Sequence, residues 1–232
     1  MKTFAIIFLL LIGFAAGFVG FLHTPSLRQT PFAMKVLTWL GTSCPTDFLT
    51  AQGLDHLRHD SLVKIRGASQ APTKTVWGLT LNRSNEAELL RWMRDRRFTC
   101  EKSRRGYVYY KCKNISLTSL GRPFKGPIGD LDFALDAYDR LIFVGFLQGK
   151  MESKQAFALF RRISQQLKLR LGEPSRKTES FSFHDFTKDL NAVTTEYRFK
   201  DYLAKVIATR IPQSGVMLYE QHIALPENFA NN

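Results

Sequence analysis

The apolar positions of this chain begin as an unbroken run, Phe4 to Leu22, in which no residue is charged and no face is polar. Wound as a helix at ~1.5 Å per residue it would span roughly 28 Å, close to the ~30 Å hydrocarbon layer of a bilayer. A helix facing the core of a soluble domain keeps one polar side, so the run predicts a transmembrane or signal helix over residues 1–24. Ala15 and Gly17 offer the small residues of a cleavage site. Cutting there would leave Phe18, Val19, Phe21 and Leu22 at the new terminus, so a retained single-span anchor is the expectation and a cleaved signal the alternative. Lys2 precedes the run while Arg28 and Lys35 follow it, a nearly balanced count. The short Met-Lys tail places the body on the extracytoplasmic side, as at a bacterial inner membrane facing the periplasm.

Past the run the pattern breaks into short periodic segments. Residues 25–60 read as a juxtamembrane helical linker, with Thr30-Pro31 opening a helix that Gly41 stops and a second short helix over Thr46–Gln52. Residues 61–120 read as strands at Leu62–Arg66 and Trp77–Leu81, a helix from Asn85 to Arg97, and a hairpin between Cys100 and Cys112. Asn85 followed by Glu88 has the spacing of a capping box. A Gly/Pro-rich linker, residues 121–129, follows.

In residues 130–225 Leu131, Phe133 and Leu135 alternate with Asp130, Asp132 and Asp136, which predicts a half-buried strand with the acids toward solvent. The apolar strand Leu141–Leu147 comes next, then a helix capped by Ser153 whose stripe is Ala156, Phe160, Ile163, Leu167 and Leu171. Strands at Thr194–Phe199, Ala204–Ile211 and Val216–Leu225 close the body before the polar tail 226–232. Short connections and segregated helices argue for an α+β fold. The expectation is two small antiparallel-sheet-plus-helix halves, each in the order strand, strand, helix, strand, strand. On the last strand Glu220 and His222 read as part of an exposed sheet face.

Charge changes the picture most. The formal net charge is +13, and eleven of the basic residues fall between Arg91 and Lys125 against only Asp95 and Glu101. Arg94, Arg97, Lys102, Arg104, Arg105, Lys111 and Lys113 are the candidate binding residues, since such a field attracts polyanions or an acidic membrane surface. The interleaved Tyr107, Tyr109 and Tyr110 would stack on bases or sugars if they face outward. Outside the cytosol, anionic lipid, a cell-wall polymer or an acidic protein fits better than nucleic acid.

Three cysteines, Cys44, Cys100 and Cys112, leave one unpaired in any pairing. If the hairpin turns at Arg105-Gly106-Tyr107, Cys100 and Cys112 face one another, and a disulfide there suits an oxidising compartment. His56 and His59 supply two ligands and no third, so no metal site is expected. Nucleotide, hydrolase and zinc-protease signatures are missing, and no catalytic residue or cofactor is expected. These residues point to a membrane-anchored extracytoplasmic binding or assembly protein, held by its N-terminal helix and engaging another envelope protein. A polyanion or anionic-lipid module using the basic cluster is the alternative. A hydrolase assembled from dispersed groups such as His184, Asp185 and Glu220 ranks third.

Overall fold

Among the described residues eight strands join one antiparallel sheet, and the apolar alternation of each strand decides which side it turns to the core. The computed structural model describes residues 50–122, 126, 128–178 and 181–226, which belong to the compact unit Leu49–Asn232. The expected span Phe4–Leu22, the juxtamembrane helix and Cys44 lie outside the described residues. Among the described residues no helix is long and apolar enough to cross a membrane.

The elements run α1 (Ala51–Val63), β1 (Thr75–Val76), β2 (Leu79–Thr80), α2 (Glu86–Asp95), β3 (Cys100–Arg105), β4 (Tyr107–Ile115), β5 (Gly129–Leu135), β6 (Leu141–Met151), α3 (Ser153–Leu171), β7 (Arg176–Lys177), β8 (Ala192–Arg198), β9 (Tyr202–Ile211) and β10 (Gly215–Ala224). The sheet order is β3-β4-β5-β6-β10-β9-β8-β7, with every neighbouring pair antiparallel. The fold is therefore α+β, as expected, but the main strands of the two expected halves share one eight-stranded sheet, with β1 and β2 forming a separate two-stranded one. Strand β4 pairs with β5 across the Gly/Pro linker, from Val108↔Leu135 to Ile115↔Gly129. Turn residues mark a bend in the chain; they do not tell whether the strands on either side pair.

The best sequence signals hold. Asn85 caps α2, its side chain accepting from the Glu88 amide at 2.9 Å. Every residue of the expected α3 stripe is buried, with Leu159 added. Gly172, at φ +88°, ends the helix. Ser153 is the first helical residue and not the cap; its hydroxyl donates to the Phe186 carbonyl at 2.6 Å. Phe186 and Phe181 pack edge-on against Phe157 and Phe160, with ring centroids 5.0–6.2 Å apart. The long loop after α3 is thus anchored on that helix.

Two expected elements are corrected. Leu62 and Val63 end α1, a helix capped by Thr50, and do not form a strand. Trp77 and Gly78 are not in a strand but form the two-residue turn of the β1–β2 hairpin, both at positive φ (50° and 91°). Such φ values match the twist of a tight hairpin, but they are costly for a bulky residue such as Trp77.

The two faces of the sheet are unequal. Helix α2 covers one through Trp92, whose ring lies 5.6 Å from Phe133, and through Met93, whose sulfur lies 3.9 Å from Cys112 Sγ. Helix α3 covers the same face farther along, over β9 and β10. On the other face α1 meets the sheet where Asp55 accepts the Tyr107 hydroxyl. There Tyr109, Phe143, Met217, Tyr219 and Ile223 remain only half-buried.

Candidate functional site

Cys100 and Cys112 are directly paired in the hairpin register, with Cα atoms 4.1 Å apart, and a disulfide joins them. Arg105 and Tyr107 flank Gly106 at the tip, at φ +73°. This is the register in which the two cysteines were expected to meet.

The basic residues do not act as one uniform patch. Lys102 lies 2.6 Å from Glu86, whose carboxyl is held below the usual carboxylate range by hydrogen bonds from Lys102 and Tyr110. Lys111 pairs with Asp130 and Lys113 with Glu101, each at 3.4 Å. Arg94, Arg97, Arg104 and Arg105 are exposed, at the end of α2 and at the hairpin tip, and of these Arg104 also acts on the Glu86 carboxyl. Tyr107 and Tyr110 are buried, and only Tyr109 is part-exposed on the open face. The interleaved tyrosines therefore do not form a stacking comb.

The last strand departs most from expectation. Glu220 and His222 are 1% and 0% exposed, on the core face with Val216, Leu218 and Ala224. Glu220 receives an ion pair from Arg122, and His222 Nε2 lies 2.9 Å from Glu220 Oε1. The Tyr202 hydroxyl lies 2.6 Å from His222 Nδ1, and the two rings stack. Burial alone would raise the Glu220 carboxyl, but the Arg122 charge and the hydrogen bonds of His222 and Arg122 hold it at about 2. Burial raises the Tyr202 hydroxyl.

The Trp77 ring covers this line. It stands edge-on to His222 and Phe146 at 6.0 and 6.1 Å, while the Arg122 guanidinium lies 5.6 Å from its centroid. Beside it opens a cavity of about 360 Å³ lined by Trp77, Gln166, Arg170 and Glu220 among others. Tyr202 does not line that cavity. The line joins two strands, β9 through Tyr202 and β10 through Glu220 and His222, to the loop that carries Arg122.

Other expected roles dissolve. Asp136 is buried, not solvent-facing; it accepts from the amides of Tyr138 and Arg140 at 3.0 and 2.9 Å and from the Arg140 side chain. Asp185 closes a capping box with Ser182 on an exposed turn, which lowers its carboxyl. His184 bonds only locally, to Thr187. Among the described residues neither shares a hydrogen-bonding partner with Glu220. Among the described residues no group of three or more His, Cys, Asp or Glu could hold a metal ion.

A larger groove lies on the open face. Its volume is about 640 Å³, and it runs between Arg58, Ser61 and Leu62 of α1 and the side chains of Tyr109, Phe143, Tyr219 and Ile223. Burial, with Asp132 adding, pushes the Tyr219 hydroxyl up to about 12. Burial also raises the Asp132 carboxyl, against the pull of Lys111. Sequence reasoning missed this groove because it needs five strands to be placed side by side. No protein-family model matches this chain, and no curated protein or solved structure does either.

Proposed function

We propose that this is a non-catalytic binding protein, tethered by its N-terminal apolar segment on the extracytoplasmic side of a membrane, that engages another envelope component through the open face of its sheet. One observation carries the reading: α2 and α3 both pack on the same side, leaving aromatic and aliphatic side chains around a large groove on the other. Contiguous apolar surface of this kind marks interaction sites. The Cys100–Cys112 disulfide fits an oxidising compartment. Co-purification from detergent extracts tests it: Tyr219→Asp and Ile223→Asp should each lose a partner that wild type retains. Retention by both variants contradicts it.

A second reading rests on Arg94, Arg97, Arg104 and Arg105, which are exposed at the end of α2 and at the hairpin tip. They suit an anionic lipid or cell-wall polymer. The double reversal Arg104→Glu/Arg105→Glu should abolish salt-sensitive binding to anionic vesicles; unchanged binding ends this reading.

A further inference from the structure

The floor of the open-face groove is a single cross-strand row. The pairings Ser103↔Tyr109, Tyr109↔Ala134, Ala134↔Phe143 and Phe143↔Ile223 line up five side chains across β3, β4, β5, β6 and β10. Four strand spacings of ~4.8 Å make the row about 19 Å long. One wall is α1, through Arg58, Ser61 and Leu62; Lys111, Asp132 and Tyr219 line the groove as well. The groove is thus a largely apolar trough, with the Ser103 and Tyr109 hydroxyls at one end of its floor and further polar groups along its sides.

Its size and chemistry select the occupant. An α-helix of ~10 Å diameter would seat only one face in an open groove of about 640 Å³. An extended peptide would bring backbone amides onto a sheet face that offers them no backbone partners. A hydrocarbon chain has no such groups to satisfy. At the Ile223 end, Arg58 donates to the carbonyl of Ala224, and its Nε is buried with no hydrogen-bond partner among the described residues. A buried donor of this kind is costly until an acceptor arrives. Burial works against the charge of this guanidinium, while Tyr107, by charge and a hydrogen bond, and then Asp136 and Asp55 support it and hold it in place.

We propose that the trough binds a long-chain carboxylate, with the hydrocarbon laid along Tyr109, Ala134, Phe143 and Ile223 and the acid at Arg58. The cation at that end and the chain's formal net charge of +13 favour an acidic head over a cationic one. The proposal rests on the open face being the binding surface, and it names what lies in the deepest part of that face.

The test uses the full chain in native membranes and a sixteen-carbon carboxylate carrying a mid-chain diazirine, with adducts mapped by mass spectrometry (about sixteen carbons being enough to follow the row). The expected result is labelling of Tyr109, Phe143 or Ile223 and none of Leu169, which is exposed on α3. Ser61→Trp, a substitution at an exposed position on the trough wall, should abolish that labelling with the disulfide still formed. Arg58→Gln should weaken it roughly tenfold, the worth of one charged hydrogen bond. Each methylene removed from the probe should weaken it about fourfold. Equal labelling of Leu169, no effect of Ser61→Trp, or equal labelling by the same chain with a trimethylammonium head each overturns the proposal. If the trough stays unlabelled while Tyr219→Asp still loses a partner, the carboxylate is wrong and the open-face reading stands. If both results are negative, that reading falls too.

Discussion

Replacing Glu220 by glutamine keeps the shape of the side chain and removes its charge from the most buried ion pair among the described residues. Arg122, 7% exposed at its side chain, then keeps a buried charge without its carboxylate. Breaking a buried pair from one side costs about 3–5 kcal/mol. The acid–base behaviour gives a second route to the magnitude. Holding the carboxyl at about 2 instead of an ordinary 4.5 corresponds to about 3 kcal/mol. The two routes agree. Because the folded value is the lower one, this stability is fully present above about pH 4.5 and is lost as the pH falls toward 2. Urea unfolding of the purified full chain at pH 7, followed by tryptophan fluorescence, reads the effect, since Trp77 lies over Arg122 and against His222. Glu220→Gln should lose about 3–5 kcal/mol and flatten the acid limb of the stability profile. The double variant Arg122→Met/Glu220→Leu should recover most of the loss, because no charge is left buried. A loss under about 1 kcal/mol for Glu220→Gln, or a double variant as unstable as the single, refutes the argument.

Other outcomes follow from the same structure. Phe160→Ala empties a fully buried position where α3 meets Phe181 and Phe186 and should cost about 3–5 kcal/mol by urea unfolding. Reducing the Cys100–Cys112 bridge, which closes a short loop, should cost about 3 kcal/mol and lower Tm; mass spectrometry without reductant should find the two thiol hydrogens missing. Gly67→Ala should destabilise by several kcal/mol, because its new methyl would meet the backbone carbonyl of Arg198, which cannot swing aside. A thermal melt that leaves Gly67→Ala at the wild-type Tm contradicts that packing.

What could be read in the sequence was local. The α3 stripe, the Asn85 cap and the cysteine register are each set within about twenty residues by helix period, cap spacing or hairpin length. The faces of β10 could not be read so easily. Val216, Leu218 and Ala224 are apolar at even positions, while Met217, Tyr219 and Ile223 are apolar at odd ones. Period-two alternation was present on both faces, and only the helices packed on one side put Glu220 and His222 within. Arg122 lies 98 residues from Glu220 in the chain, so nothing local could join them. Asp136 misled for a different reason: it continues the parity of Asp130 and Asp132 but sits one residue beyond the end of β5, where it closes a turn. The shared eight-stranded sheet was hidden because β4–β5 pairing crosses a linker rich in residues that usually separate domains.

The central claim is that the open sheet face is where this protein meets its partner. A photoreactive phenylalanine analogue placed at Tyr219, and separately at Leu169 on the outer side of α3, tests it in native membranes. The account predicts a discrete cross-linked product from position 219 and none from position 169. Cross-linking from 169 with none from 219 would contradict it.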